Sequence, residues 1–243
     1  MSLKFQTPFV KIEFQKPSIN EQTPYAKTKQ LINGPYTNLY LIRHCQPDYS
    51  LKEALGDFNM PLSDLGRKQR KLLNKKLEQI KLEKIYISEL VRAKETAEYF
   101  AKKYKKRMVV DKRLNEIDWT KWYKIKYFRM SEKTRIKKVK AYRAMDIKMH
   151  KLHDNSRRLL ADIYEKNKGK SVGIFCHGNL IRAMVTSVLN TDIIGFFSIE
   201  IYQSSITKLV IDRDGYIKIN YVNNIGHLPH KPDEDLFLAA LNQ

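Results

Sequence analysis

The chain has 243 residues, 42% of them hydrophobic and 11% aromatic, enough for one large α/β domain or two small ones. No apolar run approaches the roughly 18–20 residues of a membrane-spanning helix, and residues 1–10 lack the continuous apolar stretch of a signal peptide. Cys45 and Cys176 give no disulfide framework, so a soluble, reducing, cytoplasmic setting is expected, while the formal charge of +20 calls for an anionic partner without naming its chemistry.

Residues 1–36 carry Pro8, Pro17, Pro24 and Pro35 without helical periodicity and read as an extended N-terminal arm. The remainder, 37–243, reads as one domain. Asn38–Ile42 is a short apolar run that stops at Arg43-His44, the pattern of a buried parallel strand ending in a functional loop. Ser63-Asp64-Leu65-Gly66 supplies an N-cap for an amphipathic helix over Gln69–Ile80. Ile85–Ile87 predicts a second strand, Ala93–Tyr104 a second helix and Met108–Val110 a third strand. Residues 118–150 interrupt the alternation with a basic, aromatic insertion, helical in its second half. A helix over His150–Lys166 leads into a fourth strand, Ser171–Phe175, and another helix starts near Gly178. Ser205–Ile211 and Tyr216–Val222 predict a closing hairpin around Asp212-Arg213-Asp214-Gly215. Strands alternating with helices predict an α/β fold, a mostly parallel sheet with helices on both faces.

In open α/β sheets, ligands bind beyond the carboxyl ends of the strands. Arg43-His44 follows the first strand, Ser88 to Arg92 the second, and His177-Gly178-Asn179 the fourth, while Glu116 lies in the loop after the third. Two histidines, two arginines and a carboxylate are therefore expected to converge on one crevice. A neutral imidazole is a good nucleophile, and guanidinium forks match phosphoryl oxygens with paired hydrogen bonds. A protonated carboxyl can donate to a leaving oxygen and later deprotonate the attacking water. No cluster has metal-ligand spacing, so neither metal nor cofactor is expected. Residues 102–151 hold nineteen Lys and Arg against five Asp and Glu, which reads as a solvated helix face, as recognition of an anionic substrate, or as a surface for nucleic acid or an acidic protein.

Leu41-Ile42-Arg43-His44 resembles the Arg-His-Gly signature of the histidine phosphatase superfamily, which includes the phosphoglycerate mutases. Leu62 to Gln69, Ser88 to Ala97, Leu114-Asn115-Glu116 with Trp119 and Trp122, Cys176 to Asn179, and Ser205 to Thr207 with Asn223 to Leu228 are similar to its later blocks, in the same order. The resemblance implies a phosphoglycerate mutase-like fold and a metal-independent phosphatase. His44 would form a phosphohistidine, Arg43, Arg92 and His177 would hold the phosphoryl oxygens, and Glu116 would be the proton donor. Ser50, Ser88, Gly178, Asn179 and His227 are candidates for the pocket wall. Mutase activity, or a catalytically weak binding protein on the same fold, is the alternative. Cys45 stands where the family usually has glycine. Cys45 reads chiefly as a residue that merely fills its loop position, as Cys176 ends a buried strand; the alternative is a thiolate beside Arg43 and Arg92 with a lowered pKa, open to oxidation.

Overall fold

The computed structural model describes residues 34–117, 139–191 and 193–229. The N-terminal arm up to residue 33 and the insertion over 118–138, with Trp119 and Trp122, lie outside the described residues. The sheet has the strand order β3-β2-β4-β1-β5-β6, where β1 is Thr37–Arg43, β2 Lys84–Ile87, β3 Met108–Val110, β4 Ser171–Cys176, β5 Ile206–Ile211 and β6 Ile217–Asn224. The first four strands of that order are mutually parallel. β5 then pairs antiparallel with β1, and β6 with β5, as the predicted hairpin requires.

The apolar run of β1 follows from its place in the middle of the sheet, covered on both faces. Successive side chains point to opposite faces, and the core divides accordingly. Leu39 and Leu41 pack with Ile174, Leu159, Leu160 and Ile181 on one face. Tyr40 and Ile42 pack with Ile85, Phe175, Leu73, Leu77 and Phe100 on the other. Each of these fully buried aliphatic or aromatic side chains contributes about 1.5–3 kcal/mol relative to exposure.

Five of the helices bear on this frame. α1 (Lys52–Asn59) has no buried residue, and its helical path is interrupted at Gly56, whose φ of 70° is open to glycine. That exposure left α1 without apolar periodicity in the sequence. α2 (Asp64–Ile80) is capped by Ser63 and buries Gln69, Leu73 and Leu77 at helical spacing. α3 is Val91–Lys103. α4 (Val139–Glu165) begins within the basic insertion rather than near His150, and α5 is Gly178–Leu189. A short α6, Ile193–Ser198, had no separate signal.

α2 rests directly on the loop that follows β1. A Cβ added at Gly66 would lie 2.0 Å from the carbonyl oxygen of Gln46 and 3.0 Å from its carbon. Ser63 N–H donates to that same oxygen, and Gln46 N–H donates to Gln69 Oε1. Gly66→Ala must therefore displace backbone. Its urea midpoint is expected to fall by the equivalent of about 1–3 kcal/mol with an unchanged m-value. An unaltered midpoint would show that the loop yields freely.

Candidate active site

The carboxyl ends of the parallel strands are stitched together by backbone hydrogen bonds. His44 N–H donates to Cys176 O at the end of β4, and Ser88 N–H donates to Phe175 O. On the other side of β1, Ser204 N–H donates to His44 O and Arg43 N–H to Ser205 O. His44 is thereby held between β4 and the segment entering β5. The structure brings its ring to 5.1 Å from that of His177, centroid to centroid, at a tilt of 55°. Both rings are buried, at 3% and 0% exposure, as is Arg92 at 3%. Arg43 and Arg92 act electrostatically on both imidazoles and on Glu116, so the five groups share one crevice.

Local sequence explains how each group is held. Gly178 leaves room for Arg43: a Cβ there would sit 3.1 Å from Nε and 3.2 Å from Cζ of the guanidinium. Arg43 Nη1 donates to Ile201 O, while its buried Nε has no partner among the described residues. Arg92 emerges from the first turn of α3, and its fork is occupied by Asp57 of α1. Nη2 donates to the Asp57 carboxylate at 3.1 Å and Nη1 to the Asp57 carbonyl.

His44 Nδ1 lies 2.8 Å from its neighbour's carbonyl, Cys45 O. A carbonyl only accepts, so Nδ1 carries the proton and Nε2 keeps its lone pair. Burial lowers the pKa of His44 well below the usual histidine value, and His177, Arg92 and Arg43 add to the effect. The pKa of His177 is lowered in the same way, by burial and then by Arg92 and Arg43. Glu116 is partly exposed as a residue. The protein packed around its carboxyl raises its pKa, against opposing pulls from Ile117 N–H, Arg43, Arg92 and Asn179 N–H. The crevice thus combines a neutral imidazole nitrogen, two fixed cations and a carboxyl biased towards its acid form.

The wall candidates divide. Ser88 is fully buried: its hydroxyl accepts from the N–H of Leu90, the N-cap residue of α3, and lies 2.8 Å from His177 Nε2. Asn179 meets Glu116 through its backbone N–H, and its side-chain oxygen accepts from Arg182. His227 Nε2 is 3.0 Å from Ser204 Oγ, so it buttresses the residue whose N–H holds the His44 carbonyl. Ser50 is exposed and turned to Asp48, with both its N–H and its hydroxyl bonded to that carboxylate.

Of the two readings of Cys45, the redox alternative is corrected. Its thiol is fully buried, and burial pushes its pKa up to about 12, overriding the lowering by Ser204, Thr96 and Arg70. The Cys176 thiol is likewise raised by burial. Neither is the exposed, low-pKa thiolate that oxidation needs. Cys45 also fits where glycine was expected: its backbone is not left-handed, and its N–H donates to Thr96 Oγ1.

Asp57, Asn115 and Ser204 were not singled out from the sequence. Their contacts join distant segments, and only Asn115, inside the block with Glu116, carried any signal. Among the described residues, no helix is long and apolar enough to cross a membrane.

Comparison with known proteins bears on family and fold. Phosphoserine phosphatase 1 of Hydrogenobacter thermophilus is 26% identical over 77% of this chain and 94% of its own. The mitochondrial serine/threonine-protein phosphatase Pgam5 of Drosophila mojavensis is 30% identical over 87% of this chain and 71% of its own. Entamoeba histolytica phosphoserine phosphatase, solved with phosphoserine, superposes with a TM-score of 0.62 at 20% identity, covering 79% of this chain and 99% of that one. The model of the histidine phosphatase superfamily, branch 1, matches residues 39–224, and the chain belongs to that superfamily.

Proposed function

We propose that the chain hydrolyses alkyl phosphate monoesters by passing the phosphoryl group through His44. The carrying observation is the His44 ring, fixed with its proton on Nδ1 and its free Nε2 beside Arg43, Arg92 and His177. In the first step Nε2 attacks phosphorus, the P–O bond to the leaving group breaks, and Glu116 gives its proton to the departing oxygen. In the second, water attacks the phosphohistidine, the Glu116 carboxylate takes a proton from that water, and the P–N bond breaks. Arg43, Arg92 and His177 hold the non-bridging oxygens, whose spread charge matches their donors. Neither step routes through a metal. The relatives are named for phosphoserine and for protein serine or threonine, and what these share is an alkyl phosphate. An alkoxide leaves poorly unless protonated, which is the task of a carboxyl with a raised pKa. Two free thiols suit a reducing compartment, and cytoplasmic placement belongs to the same reading.

His44→Ala, assayed in EDTA, is expected to lose about 10³-fold or more of its turnover. Wild type quenched during turnover is expected to carry acid-labile phosphate. Acid-stable label would mean another nucleophile.

Glu116 works as an acid only while protonated, so turnover of an alkyl phosphate falls as pH rises through its pKa, which lies above the ordinary carboxylate range. Glu116→Gln is expected to abolish that limb and to slow alkyl phosphates about 10²–10⁴-fold. An aryl phosphate such as p-nitrophenyl phosphate is expected to lose much less. Equal losses on both substrates would remove Glu116 from the acid role.

Asp57 holds donors of Arg92 that a phosphoryl group would claim. Asp57→Asn is therefore expected to lower the inhibition constant of inorganic phosphate by roughly 3–10-fold, through loss of the negative charge that pairs with Arg92. An unchanged constant would show that Arg92 stays with α1 in the complex.

A further inference from the structure

Beneath His177, the side chains of Ser88 and Asn115 and the backbone of Glu89 form a circuit in which every donor and acceptor can be counted. Glu89 N–H donates to Asn115 Oδ1 at 3.0 Å, and Asn115 Nδ2 donates to Glu89 Oε2 at 2.9 Å. A backbone N–H only donates and a carboxylate only accepts, so the two bonds independently fix which way the amide faces. Ser88 Oγ, 2.9 Å from Asn115 Oδ1, must then donate to it with its single proton. Leu90 N–H donates to the same hydroxyl at 3.2 Å. His177 Nε2, 2.8 Å from Ser88 Oγ, meets only a lone pair and must itself carry the proton. His177 Nδ1 is buried and has no partner among the described residues.

We propose that Asn115 is a positioning residue that acts through Ser88 to hold His177 as its Nε2–H tautomer, leaving Nδ1 as the ring atom that meets the phosphoryl group. The tautomer stands on the circuit alone, and only its meeting with phosphate rests on the proposed function. A bare Nδ1 lone pair repels a phosphoryl oxygen, so the ring takes a second proton from solvent when the anion binds. The groups acting on that proton are Arg92 from α3 and Arg43 and His44 from the end of β1. In the free protein both arginines oppose it, and a bound dianion reverses the balance.

The test is nitrogen NMR of protein carrying ¹⁵N-labelled histidine, with His177 assigned through His177→Gln. In the free wild type at neutral pH, Nε2 is expected at a protonated shift and Nδ1 at an unprotonated one. Saturating inorganic phosphate is expected to bring both to protonated shifts. Asn115→Asp keeps an acceptor for Ser88 and is expected to keep the tautomer. Asn115→Leu frees the Ser88 proton to donate to Nε2, so the ring proton is expected to move to Nδ1. The wild-type spectrum decides even if Asn115→Leu does not fold, because Nδ1–H in the free protein overturns the proposal. So does a leucine variant with unchanged shifts. Turnover measured on the same samples keeps the questions apart: a wrong tautomer with intact turnover rejects only this inference, and the expected tautomer without turnover rejects only the phosphatase reading.

Discussion

Positive charge is concentrated at the carboxyl ends of the parallel strands, and little is present to offset it. Arg43, Arg92, His44 and His177 share a crevice in which Arg92 and both histidines are buried; among the described residues, Asp57 pairs with Arg92 and Glu116 feels both arginines. Burying cations without counter-charge is costly, and the groups that can yield a proton do so. The arginines cannot, so the histidines are the ones whose pKa values fall. A neutral His44 is thus a by-product of the same excess of charge that would draw in a phosphate dianion.

The backbone turns that electrostatic condition into geometry. The Cys45 carbonyl claims the proton of His44 at Nδ1, and the Ser88 hydroxyl claims the proton of His177 at Nε2. The two rings therefore sit 5.1 Å apart in opposite tautomers, one with Nε2 open and the other with Nδ1 open. Neither arrangement depends on long, flexible side chains. Both rest on short residues whose partners are main-chain atoms or groups one bond removed from them, the kind of support that keeps reacting atoms within fractions of an ångström.

Much of this was legible in the sequence where burial was continuous. The runs 38–42, 85–87 and 171–175 are apolar because their strands are covered on both faces, and the helices over 69–80 and 93–104 show their buried stripes. The grouping of His44, Arg92, Glu116 and His177 followed from the rule that ligands gather at strand ends, together with the order of the motifs. α1 was not legible, because an exposed helix broken at Gly56 has no apolar period to read. Asp57 and Asn115 were missed as partners because their bonds cross 35 and 26 residues to positions that no local spacing connects. The redox alternative for Cys45 failed for a related reason. The sequence showed its charged neighbours but not its depth, and depth decided the direction of its pKa.

The central position of β1 has a consequence for how the molecule is made. The strand that carries His44 emerges early in synthesis, yet its partners on either side are Ser171–Cys176 and Ile206–Ile211. Pairings across such separations close slowly, since the entropy of a long loop is lost before any contact repays it. While the chain is still growing, β1 is an apolar ribbon with both edges unpaired, the state most open to wrong association. The crevice has no precursor in a shorter chain: its two walls meet only once Ser204 can reach back to the His44 carbonyl.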